Sequence, residues 1–66
     1  MPIIHIHLLE GREPAKRHRL IEQVSQATAT ALEIPVDKVS VILHEMNADN
    51  YGTAGVPQAV RNNSVN

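Results

Sequence analysis

The spacing of apolar positions changes twice along this chain. Residues 3–9, Ile-Ile-His-Ile-His-Leu-Leu, are rich in β-branched side chains and stop at Glu10-Gly11, which predicts a strand closed by a turn. Alternation puts Ile4, Ile6 and Leu8 on one face and Ile3, His5, His7 and Leu9 on the other. From Pro14 onward the spacing becomes three and four. Leu20, Ile21, Val24, Ala27, Thr28 and Ala31 recur on one side, with Arg17, Glu22, Gln23 and Gln26 directed outward. This predicts an amphipathic helix of about five turns. Pro14 suits its first turn, where a missing N–H is tolerated, and Pro35 ends it by pushing the preceding residue out of helical geometry. Alternation returns over Val39–Glu45: Val39, Val41 and Leu43 form an apolar face, and Ser40, Ile42 and His44 a mixed one. Asn47–Asn50 is a polar turn cluster. Tyr51–Val56 predicts a short strand or hairpin arm, and the polar tail from about residue 57 is expected to be loosely ordered.

Strand, helix and strand make one βαβ unit with parallel strands and a right-handed crossover. The expected class is therefore α/β, with residues 1–66 forming a single small domain. The helix is expected to cover Ile4, Ile6 and Leu8 together with Val39, Val41 and Leu43. The opposite faces still carry Ile3, Leu9, Ile42 and Met46, and a two-stranded sheet covered on one side is marginal. Composition sharpens this point. A chain of 66 residues buries only about 60% of its unfolded surface and normally needs disulfides, a metal or partner subunits. There is no cysteine, no Phe, no Trp and one Tyr, so stapling and thiolate metal sites are excluded and the core must be aliphatic. Self-association is the remaining route.

The formal charge is −1, and basic residues cluster only over Arg12–Arg19, interrupted by Glu13. Without aromatic platforms for stacking bases, this reads as a solvated helix face rather than a nucleic-acid footprint. No apolar run approaches a membrane span. The first residues lack the basic and long apolar segments of a secretion signal, so a soluble, cytoplasmic protein is expected.

Candidate chemistry starts at Pro2. Initiator methionine is generally removed ahead of a small residue such as proline, which would expose a secondary amine. A free α-amino group titrates near pH 8, and burial or a neighbouring cation lowers that value toward a usable base. Proline in second position is nonetheless common, and alone it says little. The wider pattern says more. Met1-Pro2-Ile3-Ile4, then His7-Leu8-Leu9-Glu10-Gly11-Arg12, then Leu20-Ile21-Glu22-Gln23-Val24-Ser25, Pro35, Val41–Met46 and Tyr51–Val56 together resemble the 4-oxalocrotonate tautomerase family. The resemblance runs without a gap from Pro2 to about Val56.

The resemblance implies a βαβ protomer assembled through dimers into a hexamer. It also implies an isomerase that needs neither cofactor nor metal and has a small carboxylic acid as its substrate. In this family the N-terminal proline moves a proton from an enol or dienol to a carbon of the conjugated system, giving an unsaturated ketone. Pro2 would then be catalytic, and Arg12 would grip the substrate carboxylate through its guanidinium fork. Tyr51, at a position usually held by Phe, would wall the pocket. Ser40 departs from the family, whose founding members carry a second arginine there. Losing such a contact costs on the order of 2–4 kcal/mol of transition-state stabilisation. Lys38, expected two residues earlier on the same strand face, would replace it only partly. A monocarboxylic enol thereby becomes a better expectation than 2-hydroxymuconate. Hydration, dehalogenation or decarboxylation of a small unsaturated acid is a related alternative, as is a non-catalytic acid-binding or assembly module.

His5 and His7 share a strand face, and His44 is expected to project toward the same side. Three imidazoles are possible zinc or copper ligands, but no carboxylate is spaced to complete the set. Interface hydrogen bonding is the expected role, and no metal is assigned. His18 belongs to the exposed helix face.

Overall fold

A computed structural model describes residues 1–64, with side chains as far as residue 62. Strand β1 spans Ile3–Leu9, helix α1 Pro14–Leu32 and strand β2 Ser40–Met46. The two strands pair in parallel, from Ile3 opposite Ser40 to Leu9 opposite Met46. The expected βαβ unit with parallel strands is thus present. After it come a 3-10 turn at Ala48–Asn50, a hairpin of β3 (Gly52–Thr53) and β4 (Val56–Pro57), and a short helix α2 (Gln58–Ser64).

Helix α1 starts where Pro14 can occupy the first turn, with Glu13 in extended geometry ahead of it. The Glu13 carbonyl accepts the N–H groups of Lys16 and Arg17. The helix closes at Glu33, held in the left-handed region at φ 56°, while the Ile34 N–H reaches back to the Ala29 carbonyl at 3.0 Å. This closure usually takes glycine.

The covered face of the sheet is the expected one: Ile4, Ile6, Leu8, Val41 and Leu43 are half-buried. The helix stripe differs from expectation. Ala27 and Ala31 are exposed, and the inward row contains Leu20, Ile21, Val24, Ser25, Thr28 and Ala29. Ser25 and Thr28 can sit inward because their hydroxyls donate to the Ile21 and Val24 carbonyls at 2.7 and 2.8 Å. Arg17, expected outward, is also half-buried and lies 3.7 Å from the Glu45 carboxylate. Lys38 is not on the strand either. The Lys38 and Val39 N–H groups fold back onto the Pro35 and Val36 carbonyls in a 3-10 turn, and β2 begins only at Ser40.

Residues 58–64, given no element by the sequence pattern, form α2 against β4 and the Ala48–Asn50 turn. Their polar composition hides the helix. It is fixed by bonds to the hairpin, from Gln58 N–H to the Tyr51 carbonyl at 2.7 Å and from Arg61 Nη2 to the Thr53 carbonyl at 3.1 Å. Residues 65 and 66 of the expected tail lie outside the described residues. None of the described helices is long and apolar enough to cross a membrane.

Packing within one chain is thin. Ala29 is the only apolar residue buried among those described, while Ile3, Ile42 and Val60 are largely exposed. The radius of gyration is 15.3 Å, against about 11 Å for a compact domain of this length. The accessible surface is 5045 Å², where a compact monomer of this mass would show about 4200 Å². The excess, about 850 Å², is close to what a standard interface removes from each partner.

Candidate active site

The candidate residues fall at the two ends of the sheet. At the N-terminal end, Pro2 is half-buried just ahead of β1, and its carbonyl accepts the Ser40 N–H at 3.1 Å. Met1 is almost fully exposed. While Met1 is attached, the Pro2 nitrogen is a tertiary amide and accepts no proton. Ser40 itself is half-buried opposite Ile3.

At the C-terminal end, the chain leaves β1 through Glu10 and Gly11. Gly11 has φ +119°, a conformation that side chains with a Cβ rarely adopt. Open space surrounds the position where a Cβ would stand, so the backbone angle alone calls for glycine. Arg12 follows, exposed, with its Nη1 donating to the Leu9 carbonyl at 3.1 Å. Arg17 donates in turn to the Arg12 carbonyl, and so ties this turn to α1 and, through Glu45, to β2.

A second clamp brings the loop after β2 to the same end. The Glu10 N–H donates to the Met46 carbonyl at 2.9 Å, and Asn47 Nδ2 donates to Glu10 Oε1 at 3.1 Å. The Asn47 side-chain oxygen also accepts the Asp49 N–H at 2.8 Å, starting the turn that leads to Tyr51. As a result, Arg12 and Tyr51, distant in sequence, line one concavity of about 310 Å³ with His7, Leu8, Leu9 and Met46. Arg12 is the only fixed charge in that lining. The concavity is therefore suited to an anion with an apolar body. On its other side, Tyr51 borders a second hollow with Asp49, Asn50, Gly52, Gly55 and Pro57.

The structure thus joins Arg12 to Tyr51 and leaves Pro2 apart from both. β1 contains seven residues at a rise of about 3.3 Å each, which separates the two ends by about 23 Å. Sequence reasoning missed the bracing roles of Arg17 and Asn47. An asparagine two residues before an aspartate in a polar cluster is a turn signal of its own, but nothing in the pattern announced Arg17. Among the described residues, no cluster of three or more His, Cys, Asp or Glu is disposed to hold a metal.

A family model described as Tautomerase enzyme matches residues 2–61. The 2-hydroxymuconate tautomerase of Pseudomonas putida is 37% identical over 62 residues, covering 94% of this chain and 98% of that protein. Among solved structures, a 4-oxalocrotonate tautomerase homologue of the tomaymycin biosynthetic pathway superposes with a TM-score of 0.94 at 34% identity, covering 98% of this chain and all of the other. A heterohexamer 4-oxalocrotonate tautomerase from Chloroflexus aurantiacus J-10-fl gives 0.86 at 29% identity, covering 89% and 95%.

Proposed function

This chain belongs to the tautomerase enzymes, and from that premise we propose that it converts a small unsaturated 2-hydroxy acid to its 2-oxo tautomer, using the Pro2 amine as base and acid. Removal of Met1 would free the ring nitrogen. That nitrogen takes the enol O–H proton as the C–O bond becomes a carbonyl, and the shifting electron pair forms a C–H bond with the same proton at a carbon of the conjugated system. Arg12 holds the carboxylate bidentately. Tyr51 supplies an apolar wall with a phenol donor at its edge. All of these groups come from the polypeptide, so no cofactor is required.

The observation that carries this reading is the meeting of Arg12 and Tyr51 around one apolar concavity in a chain whose match to the family starts at Pro2. The same geometry makes demands of its own. With the base about 23 Å from the guanidinium along β1, a working site takes Pro2 from one protomer and Arg12 from another. Self-association is then part of the catalytic design, in keeping with the thin packing of the single chain and with the heterohexamer found among its structural neighbours. We favour dimer units within a hexamer.

Ser40 bears on the substrate. It offers no cation beside Pro2, and Lys38 stands outside the strand in an exposed turn. One guanidinium per site suits a monocarboxylate better than a dicarboxylate, so turnover of 2-hydroxymuconate should be weak compared with that of phenylenolpyruvate. The test is ketonisation of phenylenolpyruvate by wild type and Pro2→Ala, with intact mass reporting whether Met1 is gone. A large loss in the variant supports the proposal; equal rates would end it.

A further inference from the structure

Tyr51 is a wall shared by two hollows of similar size and opposite charge. On one side lies the concavity of about 310 Å³ in which Arg12 is the one fixed charge. Its imidazole, His7, is held by stacking on His44, with 4.6 Å between ring centres and 14° between planes, and His44 stacks in turn on His5 at 5.1 Å. On the other side lies a hollow of about 320 Å³ whose lining includes Asp49, Gly52 and Gly55. Asp49 is the one fixed charge there. It is exposed and pairs with no cation among the described residues.

One clamp sets both charges. Asn47 donates to Glu10, two residues before Arg12, at 3.1 Å, and accepts the Asp49 N–H at 2.8 Å. Tyr51 between them is fixed through its own backbone, its carbonyl accepting the Gln58 N–H at 2.7 Å. Two of the residues lining the second hollow are glycines, so bare backbone borders part of the space beside the carboxylate. Gly55 turns the hairpin at φ +81°, a conformation that favours glycine.

We propose that the two hollows serve one ligand, in which the acid held at Arg12 extends past the Tyr51 ring and presents an ammonium group to Asp49. The inference rests on the reading of Arg12 as the carboxylate anchor, and it narrows the substrate from any small enol acid to a zwitterionic one. An acid with a neutral far end gains nothing from Asp49. A dicarboxylate sets its second anion against Asp49, which disfavours it independently of the serine at position 40.

The expected preference is modest because Asp49 faces solvent. Exposed ion pairs are worth a few-fold in affinity, and more where the ligand displaces the water between the charges. Such a preference is also screened by salt.

Binding of acids that cannot tautomerise tests this without reference to turnover. Calorimetry at about pH 7.5, where an alkyl amine is protonated, would compare phenylpropanoate with its para-aminomethyl and para-carboxy derivatives. Wild type should bind the aminomethyl acid about threefold to fivefold more tightly than phenylpropanoate, and the carboxy acid more weakly by a similar factor. Asp49→Asn should bring the aminomethyl acid to the affinity of phenylpropanoate, whose own dissociation constant stays as in wild type. Glu22→Gln, on the exposed surface of α1, should keep the wild-type preference. Asp49→Asn retains the backbone bond to Asn47. Should it nevertheless fail to fold, wild type gives a second measurement, because about 1 M salt shortens the Debye length to about 3 Å and should erase the preference. Three acids bound equally by wild type, a preference untouched by Asp49→Asn, or one unmoved by salt would overturn the proposal. Arg12→Ala separates it from the reading beneath it: all three acids should weaken by a common, larger factor. An unchanged affinity for phenylpropanoate in that variant would remove the carboxylate anchor itself, and this proposal with it.

Discussion

The two ends of the parallel sheet are finished in different ways. At the C-terminal end, side chains from β1, α1 and the loop after β2 interlock: Arg17 reaches both the Arg12 carbonyl and Glu45, and Asn47 holds Glu10. Arg12 and Tyr51 are thereby placed within one chain. At the N-terminal end, Pro2 is held by a single backbone bond from Ser40, and Met1 beyond it is exposed. If Pro2 is the base and Arg12 the anchor, as proposed, the anion-binding end is preorganised locally, while the base is only half-buried within its own chain. The difference explains why a protomer this thinly packed would need copies of itself for chemistry as well as for stability.

The sharpest test of this asymmetry is complementation. Pro2→Ala and Arg12→Ala should each lose at least about a hundredfold in kcat/KM, as expected for removing a general base or a charge-assisted anchor. If the two ends combine across protomers, co-refolding equal amounts of the two inactive variants restores activity. Random mixing leaves about a quarter of the sites with both native residues. If both residues served within one protomer, every site in the mixture would carry one defect and no activity would return. Phenylenolpyruvate ketonisation of the mixture reads the difference directly.

The next effect is smaller and splits the two ends kinetically. Arg12→Ala should act mainly through KM, raising it by about 100-fold for the loss of a bidentate carboxylate contact. Pro2→Ala should act mainly through kcat. Both variants showing the same pattern would mean that the ends do not divide binding from proton transfer.

Arg17→Met should follow with a KM increase of about threefold to tenfold, because it loosens the Arg12 turn without removing the guanidinium. Its stability cost should stay under about 1 kcal/mol, since the pair with Glu45 is partly exposed and long at 3.7 Å. Arg17→Lys should recover part of the KM effect. A KM unchanged in Arg17→Met, alongside a large Arg12→Ala effect, would show that the turn holds Arg12 without this brace.

How much of this could be read from the residues follows from what each pattern encodes. The strand faces were legible because a period of two with β-branched residues leaves no second choice of face, and Pro14 marked the helix's first turn while Pro35 lay beyond its end. The helix stripe was less legible. Alanine signals little about direction, and Ser25 and Thr28 become inward residues only through bonds to the Ile21 and Val24 carbonyls. The sharing of one strand face by His5 and His7 was legible, but their stacking on His44 depends on the register between β1 and β2, a tertiary quantity. The same holds for the meeting of Arg12 and Tyr51. For Lys38, a count of two from Ser40 assumed strand geometry where the chain runs in a 3-10 turn.

The smallest effect lies between the ends and controls for both. Glu33 closes α1 at φ 56°, where a residue with a Cβ pays about 1 kcal/mol that glycine does not. Its N–H bonds to the helix carbonyls survive substitution, and its side chain is exposed. Glu33→Gly should therefore stabilise the protein by about 0.5–1 kcal/mol, less a small cost from the freer unfolded chain. Denaturant midpoints at one fixed protomer concentration measure this, because assembly makes apparent stability depend on concentration. Both kcat and KM should stay at wild-type values, since Glu33 touches neither end of the sheet. A kinetic change in this variant would mean that tightening α1 reaches the site, and the effects of Arg17 could then no longer be assigned to the Arg12 turn alone.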